Sequence, residues 1–111
     1  MSDLAFDYVE AGMRFARARA AALAEDVANA RTPGFVPRDL ARVNNDSNGD
    51  GSVSGAPFSA VLHDVAASGT VGVLEYAMSA QAKNAVVYKA LAEQERAMLR
   101  ELRTVAEEAR R

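Results

Sequence analysis

Apolar residues recur at every third or fourth position through roughly the first thirty residues of the chain. Spacing that alternates between three and four is typical of a helix that packs one face against a partner. The repeat comprises Phe6, Val9, Met13, Ala16, Ala20, Leu23, Val27 and Ala30. Glu10 and Arg14 stand four positions apart, where opposite charges support a helix. We therefore predict a helix from about residue 2 to residue 30.

A second apolar repeat with the same spacing occupies the C-terminal part of the chain. Its positions are Leu74, Ala77, Gln81, Asn84, Tyr88, Leu91, Glu95, Met98, Leu102 and Val105. The polar members Gln81, Asn84 and Glu95 either set the register between neighbouring chains or face solvent. The repeat predicts a helix over about residues 71–110, roughly 60 Å long at 1.5 Å per residue. Such a helix exceeds what the first helix can cover, so the excess is solvated, frayed or packed against another chain.

The segment between the predicted helices, about residues 31–70, is rich in turn-forming residues. Thr32-Pro33-Gly34-Phe35 suits a type II turn, because glycine accepts a positive φ at the third position. Residues 41–57 are dominated by Asn, Asp, Ser and Gly and predict a flexible loop, whereas residues 58–67 predict a short helix. The expected fold is all-α. It is one domain over residues 1–111, in which two long antiparallel helices form a coiled-coil-like hairpin.

Composition limits the stability that such a hairpin can have alone. Half of the 111 residues are apolar, but alanine supplies much of that total and only 6% are aromatic. Alanine favours helices and lets them approach closely, yet it buries little area. The apolar stripes either close an intramolecular hairpin or are shared between copies, and we favour sharing. We also expect the free chain to be partly disordered and to fold on assembly.

Charge and residue content argue against several classes of protein. The net charge of −2 gives no basic excess for nucleic-acid binding, and the absence of cysteine excludes disulfides. No apolar run is long enough for a membrane-spanning helix. Acidic residues near the N-terminus and the lack of an apolar core predict that no signal peptide is present.

A calcium site is the main chemical alternative. Oxygen-bearing side chains occupy alternate positions of a loop with Gly51 at its sixth position: Asp46, Asn48, Asp50 and Ser52. The twelfth position, where such loops carry a bidentate carboxylate, is Pro57. Runs of this composition are more often flexible loops, so the sequence favours no metal.

Catalysis has little support in the sequence. His63 is the single histidine, and its neighbour Asp64 would not face it on a helix. A chain of this size with two long helices offers no evident pocket for acid–base chemistry. We expect no enzyme activity and no cofactor. Arg14, Arg17 and Arg19, in the first predicted helix, are interpreted as a solvated face, with binding to an acidic patch on a partner as the alternative.

Residues 23–35, LAEDVANARTPGF, resemble the N-terminal signature of the flagellar rod, hook and hook-associated proteins. That signature is approximately L-A-x-N-[IVL]-A-N-x-x-T-P-G-[FY]. The matching residues are Leu23, Ala24, Val27, Ala28, Asn29, Thr32, Pro33, Gly34 and Phe35. Asp26 replaces the usual asparagine, and Arg38-Asp39 resembles the A-R-D that follows in proximal rod proteins. From the residues alone, the segment is more simply a helix end followed by a turn. The resemblance instead favours a rigid turn whose surface contacts a neighbouring subunit.

The C-terminal repeat is similar to the closing helix of the FlgB family of proximal rod proteins. The matching residues are Leu74, Glu75, Met78, Asn84, Tyr88, Ala90 and Leu91. Val73 and Ala77 depart from it, since the family usually has acidic residues there. The short connector also fits a proximal rod subunit, because hook and distal-rod relatives insert large β domains. Ala11-Gly12-Met13 resembles the sister FlgC family, the nearest alternative.

The resemblance implies a structural subunit of the bacterial flagellar proximal rod that assembles through its terminal helices. The implied location is the basal body, reached through the flagellar export apparatus without cleavage of a signal. The implied partners are copies of the chain, other rod subunits, the basal-body adaptor protein and the inner-membrane ring, with no nucleic acid and no small-molecule substrate. The alternative outside the flagellar family is a small helical adaptor protein with a calcium-binding loop.

Overall fold

The computed structural model describes residues 3–44 and 58–110. The elements in these ranges are α1 (Asp3–Ala28), β1 (Arg38–Asn44), β2 (Phe58–Asp64) and α2 (Gly69–Ala109). Arg17 of α1 contacts Tyr88 of α2, and Ala20, further along α1, contacts Gln81, which comes earlier in α2. The two long helices are therefore present and pack antiparallel.

The prediction of an all-α fold is wrong, because β1 and β2 form an antiparallel two-stranded sheet. The register pairs Arg38 with Asp64 and Asn44 with Phe58. Residues 58–67 do not form the predicted short helix, and residues 41–44 belong to a strand instead of the predicted loop. A short apolar run is compatible with either helix or strand, and pairing with a distant partner decides between them.

The two-stranded sheet of β1 and β2 packs against α1 through aromatic side chains. The Phe58 and Phe15 rings meet edge to face at 6.1 Å between centroids. The Arg42 guanidinium lies 4.9 Å from the Phe58 centroid, within the range of a cation–π contact. At the other end of the sheet, the Val65 N–H donates to the Pro37 carbonyl at 2.9 Å. The aromatic contacts hold the sheet against α1, and the Val65–Pro37 hydrogen bond closes its other end.

The core between the helices is small and rich in alanine. Its buried apolar residues are Val9, Ala11, Ala16, Leu23, Ala30, Val73, Ala77, Ala80 and Met98. At Gly12 the helices approach so closely that an added Cβ would lie 3.0 Å from the Leu91 Cδ1. Small residues therefore permit close packing, but the apolar area that they bury is modest.

The predicted contact face of α1 holds with one exception. Val9, Ala16, Leu23 and Ala30 are buried, whereas Val27 is 40% exposed. Its neighbour Asp26 is buried instead, at 2% exposure. Asp26, three positions after Leu23, is covered at the end of α1 and accepts the Arg38 N–H at the start of β1, whereas Val27 faces outward.

α2 extends well beyond α1, with 41 residues against 26. Met98 is its last buried residue, and every residue from 99 to 109 is exposed. We call residues 99–109 the free end. The predicted excess of the second helix is thus present, and apolar side chains such as Leu102 and Val105 face away from this chain.

No helix among the described residues is both long and apolar enough to cross a membrane.

Candidate functional site

The motif after α1 forms a tight turn, which together with the following extended residues we call the elbow (residues 29–38). The Asn29 side chain donates to the Glu25 carbonyl at 2.9 Å, and the Asn29 carbonyl accepts from the Thr32 N–H at 2.9 Å. The Phe35 N–H donates to the Thr32 carbonyl at 3.2 Å, and Gly34 has a φ of +76°. These values match the predicted type II turn, in which the third residue has a φ near +80°.

Asp39 joins three elements through one buried carboxylate. Arg19 on α1 donates to it from Nε at 2.8 Å and from Nη2 at 2.9 Å. The Tyr76 hydroxyl on α2 donates to Oδ2, and the Leu40 N–H of β1 donates to Oδ1 at 2.7 Å. Because Asp39 is only 2% exposed, these donors replace the water that the charge has lost. Asp39 directly follows the elbow, so the chain at the end of the elbow is anchored to both helices.

The electrostatics of this network favour the charged form of Asp39. Burial alone would raise the pKa of Asp39, but hydrogen bonds from Arg19, Tyr76 and the Leu40 N–H outweigh it and lower that pKa. The hydrogen bond to Asp39 raises the pKa of Arg19. Burial and the same carboxylate raise the pKa of Tyr76, so its hydroxyl stays a donor.

Asp26 is a second buried carboxylate, with poorer surroundings. Its Oδ1 accepts the Arg38 N–H at 3.0 Å, but its Oδ2 has no hydrogen-bond partner among the described residues. Burial raises the pKa of Asp26, and the negative charges of Asp39 and Glu25 add to that effect. The carboxyl therefore ties the start of β1 to α1 while one of its oxygens lacks a donor.

Asp26 lies beside a cleft of about 340 Å³ between α1 and the elbow. We call this the elbow cleft. Its lining residues are Ala22, Glu25, Asp26, Gly34, Phe35, Val36, Arg38 and Leu62. Val36 and Leu62 are 49% and 48% exposed, so the cleft has an apolar rim beside its acidic side.

Polar residues of the α2 repeat bind α1. The Asn84 side chain donates to the Ala16 carbonyl at 2.7 Å and is 5% exposed. The Gln81 side chain donates to the Ala20 carbonyl at 3.0 Å. Gln81 and Asn84 therefore neither face solvent nor stay free to bind another chain: they pair the two helices of one chain.

The structure separates the matched motif residues into contacts and exposed positions. Leu23 is fully buried and Leu74 is half-buried, whereas Asn84, Tyr88 and Leu91 lie against α1. The remaining matched positions of both motifs are exposed apart from the half-buried Asn29 and Phe35: Ala24, Val27, Ala28, Thr32, Pro33, Gly34, Arg38, Glu75, Met78 and Ala90. The motifs thus supply one set of residues that folds the chain and another that faces outward.

The sequence did not identify the partners of Asp39. The interpretation of Arg19 as part of a solvated face is wrong, because its guanidinium pairs with the buried Asp39. The pattern of the sequence gives no signal for Tyr76 as a donor to the same carboxylate. No spacing rule links residues 20 and 37 positions apart, so only the folded chain brings them together.

The calcium alternative concerns the segment between β1 and β2. Asp46, Asn48, Asp50 and Ser52 lie outside the described residues. Within residues 3–44 and 58–110, no group of three or more His, Asp or Glu side chains is placed to hold a metal ion.

Comparison with protein-family models, with curated proteins and with solved structures finds no match.

Proposed function

We propose that the chain is a structural subunit of the flagellar proximal rod, of the FlgB type, with a FlgC-type rod protein as the nearest alternative. The observation that carries the proposal is the sequence motif that ends in the elbow. Its Asn29, Thr32 and Gly34 each perform a defined structural task, since they close the helix and hold the turn. Such a turn presents a fixed surface beside a helix end, as a subunit of a rigid assembly requires.

The free end supports the same proposal. Eleven consecutive residues, 99–109, are exposed on a regular helix that carries the apolar Leu99, Leu102 and Val105. Exposed apolar side chains on one element mark surfaces that pack against other proteins. In this proposal, copies of the chain and other rod subunits cover them, and the basal-body adaptor and inner-membrane ring lie at the base of the assembly.

Genetics tests this function directly. Deleting the gene should abolish motility and leave cells without complete hook–basal bodies in electron micrographs. The intact gene should restore both, because the rod is the support on which the hook is built. A deletion strain that swims normally and has intact basal bodies would refute the proposal.

A variant of the elbow makes the test specific to this structure. Gly34→Val places a β-branched residue at a φ of +76°, a region that such residues rarely adopt. Gly72→Ala is the matched control, since its added Cβ would meet no atom within 4 Å. The Gly34 variant should complement the deletion poorly, and the Gly72 variant should complement it fully.

A further inference from the structure

The elbow cleft contains an incomplete hydrogen-bonding site. Asp26 is 2% exposed, and its Oδ2 accepts no hydrogen bond from any described residue. A buried acceptor without a donor destabilises the folded chain, because it has lost its hydrogen bonds to water and gained none in return. Folded chains seldom retain such a group without a reason, and a donor supplied from outside would satisfy it.

The surroundings of Asp26 favour a cationic donor on a long apolar stem. Glu25 lines the same cleft, and the end of α1 adds the partial negative charge of a helix C-terminus. Arg38 is the basic lining residue, but its Nε lies 4.0 Å from the Asp64 carboxylate. Val36 and Leu62 form the exposed apolar rim. A lysine or arginine fits this combination, because its stem packs on apolar groups while its head reaches a carboxylate.

The free end carries such side chains on one face. Spacings of three and four place four of its residues together on α2: Leu99, Leu102, Arg103 and Ala106. Arg110, directly after the end of α2, continues the same spacing. We call this face the basic face. It contains no acidic residue, and it continues the face of α2 that packs on α1 nearer the N-terminal end of α2. Arg103 forms no ion pair within the part of the chain that is described.

The elbow cleft and the free end lie at opposite ends of the molecule. Tyr76 of α2 stands beside the elbow through its bond to Asp39, and Arg103 lies 27 residues further along the same helix. At 1.5 Å per residue the separation is about 40 Å. Neither feature can therefore satisfy the other within one chain.

We propose that the free end of one copy docks in the elbow cleft of a second copy, with Arg103 donating to Asp26. The proposal rests on the proposed function, since it names the contact through which copies of the subunit join. The two surfaces differ and lie at opposite ends, so each added copy offers a new cleft or a new free end. Contacts of this head-to-tail kind extend into a filament unless the rotation closes a ring.

Two full-length variants test the contact. Asp26→Asn keeps the shape of the side chain but removes the charge of the cleft, and Arg103→Glu reverses the charge of the basic face. Sedimentation velocity from micromolar to submillimolar concentration should show wild-type chains associating, more weakly as salt rises. Each variant alone should associate at least tenfold more weakly.

The mixture of the two variants gives the sharpest result. The Asp26→Asn chain keeps its basic face, and the Arg103→Glu chain keeps its cleft. An equimolar mixture should therefore form heterodimers that cannot extend further. Asp7→Asn, which removes an exposed carboxylate elsewhere on α1, is the control and should associate like the wild type.

Three outcomes would overturn the docking proposal. These are a wild-type chain that stays monomeric throughout, a variant that associates as the wild type does, and a mixture without heterodimers. The gene-deletion experiment separates this proposal from the proposed function. Lost motility together with unaffected association rejects the docking contact alone, whereas normal motility together with association that depends on Asp26 rejects the rod function alone.

Discussion

Two buried aspartates differ in the number of donors that reach them. Asp39 accepts hydrogen bonds from Arg19, Tyr76 and the Leu40 N–H, and these lower its pKa against the effect of burial. Asp26 accepts one described hydrogen bond, from the Arg38 N–H, and burial raises its pKa. Both are 2% exposed, so burial alone does not decide whether a carboxylate stabilises the fold. The donors decide it.

Replacing Asp26 by asparagine should stabilise the chain at neutral pH. The raised pKa means that the folded state holds the proton more tightly, so the contribution of Asp26 to stability falls as pH rises from the ordinary aspartate value through the raised one. Removing the buried charge should add about 1 kcal/mol to the free energy of unfolding at pH 7. Urea denaturation followed by circular dichroism should show this gain shrinking as the pH falls toward 4. A gain that does not depend on pH would contradict the explanation.

Replacing Asp39 by asparagine should have the opposite effect. Removing one member of a largely buried ion pair leaves Arg19 without its counter-charge, at a cost of about 2 kcal/mol after allowance for the partial exposure of Arg19. The pKa of Asp39 is lowered, so its contribution is complete above the ordinary aspartate value and is lost as pH falls through the lowered one. Thermal unfolding at pH 7 and in acid checks both statements.

Glu10→Gln is the control for that experiment. Glu10 and Arg14 form an exposed ion pair at 3.8 Å, and such pairs contribute at most about 0.5 kcal/mol. If this variant lost as much stability as Asp39→Asn, the buried network would have no special role.

At the scale of elements, the apolar repeats of the sequence predict the two helices, but no repeat predicts the sheet. Ala16, Leu23, Ala77 and Asn84 lie at the contact that the repeats predict. β2 carries no alternating pattern of burial, since it is exposed from its second residue onward. A strand whose faces are both largely solvated leaves no period-two signal in the sequence. Its pairing with β1 could therefore be seen only in the structure.

Two glycines of the helices should respond differently to a methyl group. Gly72 has no atom within 4 Å of an added Cβ, so Gly72→Ala should stabilise by about 0.5–1 kcal/mol through helix propensity. At Gly12 the Cβ would meet Leu91 at 3.0 Å, so Gly12→Ala should gain less or destabilise. Chemical denaturation of both variants measures the difference. Equal gains would show that the helices do not depend on this close approach.

Asn84 should matter more than Gln81 for the pairing of the helices. Asn84 is buried and donates to a carbonyl of α1, whereas Gln81 is half-buried. Asn84→Ala should cost about 1 kcal/mol, and Gln81→Ala a few tenths. Thermal melts of the two variants at equal concentration compare them, and a larger loss at Gln81 would contradict this assignment.

At the scale of the whole molecule, the length mismatch between the helices defines its shape. The chain measures 65 Å along its longest axis and 14 Å along its shortest. Sequence periodicity predicted the excess of α2 because the apolar repeat continues through Leu102 and Val105. It could not predict the elbow cleft, which depends on Leu62 of the unexpected β2 and on the burial of Asp26. Those features arise from contacts between distant parts of the chain.

Hydrogen exchange should reveal this shape in solution. Amides of the free end lie on an exposed helix without tertiary contacts and should exchange fastest within α2 in dilute solution. Amides near Ala77 and Asn84, which pack on α1, should exchange slowest. Mass spectrometry of peptic peptides resolves the two regions. Strong protection of the free end in a monomer would contradict the structure.

The position of the Asp39 network in the chain also determines when the fold can be completed. Asp39 and Arg19 belong to the N-terminal part, but the hydroxyl that completes the network comes from Tyr76. In a chain that is synthesised from its N-terminus, Asp39 lacks the Tyr76 donor until α2 follows. α1 and the elbow therefore depend on the last helix for their final stability. Maturation of the fold is set by the arrival of the C-terminal segment.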